Sequence, residues 1–298
     1  MGVIALDCDD CFATWRDQAR RLLGHGIDPA EVTWGQGPMD DLLAVPAPLP
    51  EGDGPFRARI PAALLAQLEQ ASRYRGEQRW NLLYEVLWRV AHGDRTAMLA
   101  GERLGSELHR RIKQVSREAH HLHAFVRFVP LPEALAETLQ LDLIAWHEPA
   151  HDILDSASGH FAERLGHQRW LIATPRDGIR YDGKALDYQR NCPPQWQDWA
   201  RNAEDPGAEL WLTYYRNIFN PARLNPDALR QHLPGRFWRN LPEGPLIPQL
   251  VGQARQGKQR DGQALEVGMQ RGKQVAKTAE QMAAELSAQR LAKTPAAG

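Results

Sequence analysis

The chain has 298 residues, 43% of them hydrophobic and 24% charged, with a formal net charge of −1. That length suffices for a large core and about two domains. The near-zero charge excludes a molecule drawn as a whole to polyanions, so any nucleic-acid surface has to be a local patch.

The charge is unevenly spread. Residues 1–54 carry ten acidic residues against three basic ones, whereas residues 101–130 carry six Lys/Arg against three Glu, with four of the eleven histidines. Cys8, Cys11 and Cys192 make no disulfide framework and point to a reducing compartment. The run "VIAL" is followed at once by Asp7, Asp9 and Asp10, unlike a signal peptide. No apolar run approaches the roughly 20 residues a membrane helix needs. A cytoplasmic protein without a membrane partner is expected.

In chain order, a short helix is expected near Trp15–Leu23, then Pro-, Gly- and Asp-rich loops. From about residue 60 the pattern is helical. In "RWNLLYEVLWRVAH" (79–92), Trp80, Leu83, Tyr84, Leu87 and Val90 recur at helical spacing. In the next helix Leu104, Leu108, Ile112, Val115, Ala119 and Leu122 form one apolar stripe. Arg110, Lys113, Arg117, His120 and His121 fall on the opposite face, with little acid to neutralise them. The period then changes. "HAFVRFVPL" (123–131) and "LDLIAWH" (141–147) read as strands, and "PAHDILDSASGHFAERL" (149–165) as a helix with Pro149 in its first turn. "RWLIATP" and "GIRYDG" read as a hairpin about "RDG". The order strand–strand–helix–strand–strand predicts an α+β fold with an antiparallel sheet, flanked by helical regions at 60–122 and 204–255. Residues 1–255 read as the main domain. Residues 256–298, rich in Gln, Ala and Lys, read as a polar tail.

Motif by motif, little catalytic chemistry is written in the chain. "HEPAH" (147–151) matches the zinc-protease pattern H-E-x-x-H, but Pro149 sits inside it and forbids a continuous helix carrying both imidazoles. Cys8-x-x-Cys11 is half of a zinc site without its second half. No phosphate-binding glycine loop is present. Neither a metal nor a cofactor is expected, and no catalytic residue is identified. "HAFVRF" shares part of the strand motif of RNA-recognition modules; read as a strand, it puts Phe125 and Arg127 on one face. The richest segment is "TYYRNIFNPARLNPDALRQHLPGRFWRNLPEG" (213–244), where aromatic, amide and guanidinium groups crowd together. Such a mixture suits stacking on bases and bonding to phosphates. Trp211, Tyr214 and Ile218 are expected to pack inward with Leu210. Arg110, Lys113, Arg117, His120, His123, Phe125 and Arg127 form one candidate DNA-contact set. Asn220, Arg223, Arg236, Trp238 and Arg239 form a second.

"REAHHLHAFVRF", "HEPAHDIL", "RWLIATP", "TYYRNIFNPARLNP" and "PGRFWRNLPEG" together resemble a bacterial family with a domain of unknown function that is assigned to DNA repair or DNA metabolism. The resemblance covers most of residues 3–255. It implies a radical-SAM partner that repairs or modifies DNA. Some members carry a fused UdgX-type uracil-DNA glycosylase domain; the polar tail after residue 255 makes the stand-alone form the expectation here. It supplies no catalytic residues. Three functions are therefore expected to compete: a DNA-binding accessory acting on single-stranded or damaged DNA, a DNA-processing enzyme built on His120, His123, His147 and His151, and a protein–protein adaptor.

Overall fold

A 23-residue helix organises the first part of the molecule. In the computed structural model, which describes residues 4–35, 48–220 and 225–255, the chain divides into two compact units, 1–207 and 208–298. Helix α4 (Arg103–Phe125) begins where the Glu102 carboxylate accepts bonds from the backbone N–H groups of Leu104 and Gly105, which satisfies two of the free N-terminal donors. Gly105 faces the turn before it. A Cβ there would lie 2.0 Å from the Leu99 carbonyl oxygen, so only glycine lets the turn fold back on the helix.

The N-terminal half of α4 seals one core. Leu104 and Leu108 are buried there with residues of α1 (Phe12–Gly24), α2 (Ala62–Ser72) and α3 (Arg79–Ala91). Two three-residue strands, β1 (Ile4–Leu6) and β2 (Val32–Trp34), pair in parallel beside them. Trp15 is completely buried in this core and packs against Phe12, Trp34 and Trp80 at centroid distances of 5.5, 6.1 and 5.9 Å.

The C-terminal half of α4 covers a sheet. Its five strands lie in sequential order: β3 (Val129–Pro130), β4 (Leu143–Trp146), β5 (Trp170–Ala173), β6 (Gly178–Tyr181) and β7 (Leu186–Gln189). The pairings are antiparallel except β4–β5, which is parallel. That pair is joined by α6 (Leu154–Ala157) and α7 (Gly159–Leu165), as a parallel connection requires. Alternation splits the strands between two cores. Ala145, Trp170, Ile172, Ile179 and Tyr181 pack with Val115 and Leu122 of α4 and with Phe161. Ile144, Leu171 and Ala173 face the other way, where they meet Ala200 of α8 (Pro194–Asn202), with Leu139 of α5 (Glu133–Leu139) packed against them. The result is a helix–sheet–helix sandwich, and the fold is α+β as the element order predicts.

Several elements differ from the sequence reading. "HAFVRF" is not a strand. Helix α4 runs on to Phe125, because Leu122 continues the apolar stripe into the helix–sheet core. Phe125 and Arg127 therefore share no strand face. His121 belongs inside, 5% exposed, rather than on the polar face. The helix expected from Pro149 starts at Leu154, since residues 148–153 are held as a turn by the contacts described below. The two short strands near the N-terminus and the edge strand β7 were not foreseen.

The second unit holds α9 (Ala208–Ile218), α10 (Pro226–His232) and α11 (Leu246–Arg255), and in it Phe237, Leu246, Ile247 and Leu250 are buried. Asn225 caps α10 by accepting from the Ala228 N–H, with Pro226 in the first turn, as its sequence predicts. Leu210, Tyr214 and Ile218 are not packed inward: they are 76%, 54% and 53% exposed. Trp211 instead donates its indole N–H to buried Glu243, at 2.8 Å. The expected tail, 256–298, and Arg223 lie outside the described residues.

Candidate functional site

Two features of the first unit bear on function: the exposed face of α4 and a charged cleft centred on Asp10. On α4, Arg110, Lys113, Arg117 and His120 are all exposed. The expectation of little neutralising acid fails at Arg110. Its guanidinium donates to both oxygens of Glu107 at 2.6 Å, and Glu107 also takes Arg111 at 2.8 Å. These bonds, that from Arg110 foremost, hold the Glu107 carboxyl down at about 2. Lys113 makes no ion pair among the described residues. His123 and Arg127 have structural partners. The His123 ring pairs with the Ala157 carbonyl at 2.8 Å and packs, tilted, against His160, and Arg127 pairs with Asp205 at 2.6 Å. Phe125 is half-buried with its ring 5.7 Å from His121.

From α4 a line of contacts leads to the cleft. The Arg110 guanidinium lies 5.2 Å from the Tyr74 ring, and Tyr74 packs against His151 at 4.5 Å. His151 accepts from the Arg75 backbone N–H at 3.3 Å. The "HEPAHD" turn is clamped on both sides: Ala150 N–H donates to Glu118 of α4 at 2.7 Å, and Asp152 N–H donates to the Arg73 carbonyl at 2.9 Å. This clamp explains why the motif is a turn and not a helix. Its two imidazoles do not share a helical face, and no group of three or more His, Cys, Asp or Glu among the described residues is arranged to hold a metal ion.

Behind Asp10 lies Arg79, whose side chain is 7% exposed. It pairs with Asp10 and, at 2.8 Å, with Asp152. Arg75 donates to the same Asp152 at 2.6 Å. Asp10 and Arg79 are both delivered by left-handed backbone. Asp9 and Asp10 have φ of 50° and 54°, and the Cys11 N–H closes a turn onto the Cys8 carbonyl at 2.7 Å. Two left-handed central residues are the pattern of a type I′ turn. Gln78, immediately before Arg79, has φ of 51°. Such conformations cost non-glycine residues on the order of 1–3 kcal/mol and cluster where function needs them.

The remaining walls come from the sheet edge. Arg190 donates to the Asp10 carbonyl at 2.7 Å. Exposed Arg176 makes no ion pair among the described residues. Asp177 is 2% exposed, and accepts from the Thr174 hydroxyl at 2.6 Å and the Tyr188 hydroxyl at 3.2 Å. Burial pushes its carboxyl above the ordinary range despite the bond from Thr174. Cys8 is pushed up to about 12, by burial first and Asp10 next. Burial raises Cys11 too, but bonds from Thr14 and Ala13 at the start of α1 outweigh it and bring that thiol down.

The raised Asp177 makes a pH prediction. A native carboxyl that holds its proton more tightly than the unfolded one adds stability below the ordinary carboxylate range, and that stability is lost as pH rises through the native value. Asp177→Asn should therefore gain stability relative to wild type at pH 7 and none at pH 3, in urea melts at both. An equal loss at both pH values would contradict the assignment.

None of the cleft residues was among the predicted sites. The profile of a domain of unknown function, DUF4130, matches residues 77–243, more than half of the chain. The chain belongs to the DUF4130 family. No curated protein and no solved structure matches it. The DUF4130 match includes Arg79, Asp152, Arg176, Asp177, Tyr188 and Arg190 but begins after Asp10, Arg73 and Arg75. Sequence signals for the cleft did exist: arginines at 73, 75 and 79 bracket a loop, and two aspartates sit between two cysteines at 8–11. Nothing in the order of residues links those segments.

Proposed function

We propose that this DUF4130 protein is a cytoplasmic DNA-binding accessory of DNA repair or DNA metabolism that holds a sugar–phosphate backbone along the exposed face of α4. The observation that carries the reading is the ridge of Lys113, Arg117 and His120 on one rigid helix, with Arg110 at its end. Arg110 to His120 spans about 15 Å at about 1.5 Å per residue, the axial rise of four to five nucleotides at about 3.4 Å each. Arg110 contributes less than Lys113, because Glu107 already answers its charge. The radical-SAM partner rests on the motif resemblance, and the preference for single-stranded or damaged DNA on the aromatic, amide and guanidinium mixture of residues 213–244.

In the second unit, Arg236 and Arg239 are exposed, and the Arg236 guanidinium lies 4.6 Å from the Phe237 ring. Trp238 is anchored by its indole N–H on the Leu233 carbonyl at 3.0 Å, and Asn220 is exposed. The "WRNLPEG" motif has a packing role as well: a Cβ on Gly244 would meet the Trp238 carbonyl oxygen at 1.7 Å. The adaptor reading has one observation of its own, the exposed Leu210, Tyr214 and Ile218 on one face of α9.

Equilibrium binding to single-stranded and duplex oligonucleotides of unrelated sequence tests the proposal. Wild type should bind at low salt. Lys113→Ala/Arg117→Ala should weaken binding to every sequence alike, since backbone contacts carry no base information. Absence of binding at low salt, or a double variant that binds as wild type does, would leave the adaptor reading in place.

A further inference from the structure

Three openings in the first unit share Asp10 as a wall, with volumes of 520, 300 and 230 Å³. The largest lies within the roughly 300–1,000 Å³ of small-molecule sites. It is lined by Asp9, Asp10, Asp152, Arg176, Tyr188 and Arg190, among others. We propose that this cleft holds a single nucleotide whose base carries an exocyclic amino group, with its phosphate on Arg176 and Arg190 and its amino group on Asp10.

The division of charge carries the argument. Arg75 and Arg79 are engaged by Asp152 and Asp10, so their role is to hold the wall. Arg176 has no carboxylate partner among the described residues, and the described bond of Arg190 goes to a backbone carbonyl. Two guanidinium forks without carboxylates at one opening match phosphate geometry. Asp10 supplies the opposite chemistry. Its Oδ1 takes Arg79 and the Trp80 indole N–H, and no described residue donates to its Oδ2. A carboxylate oxygen at a cleft wall accepts from an amino group, as acidic side chains do with cytosine N4. Half-buried Tyr188 adds a ring face for a base.

Inorganic phosphate would meet the arginines and be repelled by the aspartates. An amine would do the reverse. A nucleotide satisfies both ends, and one with thymine or uracil would present a carbonyl oxygen to Asp10 where the others present a donor. The left-handed Asp9–Asp10 turn fits the same purpose, because it aims a carboxylate at a cleft at a backbone cost that packing alone does not require. The inference deepens the DNA-binding reading, on which it rests only for whether the nucleotide arrives free or as an unpaired member of a strand.

Calorimetry on the full chain with dCMP, dTMP, deoxycytidine and inorganic phosphate tests it. dCMP should bind at least about ten-fold tighter than the other three, the scale of one good base contact. Arg176→Ala should weaken dCMP at least about ten-fold, and Asp10→Asn should erase the preference over dTMP. Should Asp10→Asn fail to fold, Arg176→Ala at an exposed position still decides. A duplex with one bulged cytosine identifies the source: tighter binding than to the paired duplex, lost in Arg176→Ala, means a nucleotide in a strand, and an effect confined to dCMP means a free one. Either of these supports the site. dCMP binding no tighter than phosphate, or unchanged by Arg176→Ala, overturns it. Failure of wild type to bind any DNA sinks the DNA-binding reading and leaves the dCMP result standing.

Discussion

Replacing Arg79 by alanine should cost about 3–5 kcal/mol, the usual effect of removing one partner from a buried ion network. Arg79 is the only cation described as contacting both Asp10 and Asp152, and its side chain is 7% exposed. Its removal leaves Asp152 with one of its two described cationic partners, Arg75. It also frees the Asp9–Asp10 turn from the interaction that offsets its backbone cost, and takes a guanidinium from 4.6 Å over the Trp80 ring. Against a total stability of about 5–15 kcal/mol, that loss leaves little margin. Asp10→Ala should cost less, because the Asp10 side chain is 46% exposed and water can replace part of what it gives up. Urea melts of both variants at neutral pH measure the order. An Arg79→Ala loss below about 1 kcal/mol would mean that the network contributes little to holding the walls together.

Trp170→Ala should be equally severe, at about 3–5 kcal/mol. Trp170 is fully buried in β5 and stacks on Tyr181 at 5.5 Å, with Phe128 and Phe161 edge-on at 5.9 and 6.1 Å. It therefore fills the space between the sheet and the helices of the parallel connection. A large cavity there cannot collapse without moving β5 against both neighbours. Leu186→Ala on edge strand β7, where the leucine is 39% exposed, should stay within about 0.5 kcal/mol. Similar losses in the two variants would show that the aromatic cluster is not what joins the layers.

What the sequence made legible follows from which signals are local. The α4 stripe, the β5–β6 hairpin and the Asn225 cap are written within a few residues each, and the structure has all three. "HAFVRF" misleads because its apolar residues satisfy a two-residue and a 3.6-residue period over so short a stretch, and only the preceding turns of α4 decide between them. β1 and β2 are three residues long and carry no period. On α9 the wheel correctly groups Leu210, Tyr214 and Ile218, but amphipathicity does not say which face is covered. Trp211 turns toward Glu243, thirty-two positions along the chain. The basic ridge was readable from the α4 sequence. The cleft was not: it joins Asp10, Arg79, Asp152 and Arg190, and only folding brings them together.

The central claim is that phosphates lie along α4, and the salt dependence of binding tests it most directly. A single-stranded oligonucleotide is titrated at several salt concentrations, and the slope of log K against log salt is compared between wild type and Lys113→Ala/Arg117→Ala. Each lost phosphate contact lowers the magnitude of that slope by about one unit. The account predicts a slope smaller by about two units in the double variant, with its fold intact by circular dichroism. A wild-type slope near zero, or the same slope in both proteins, would contradict it.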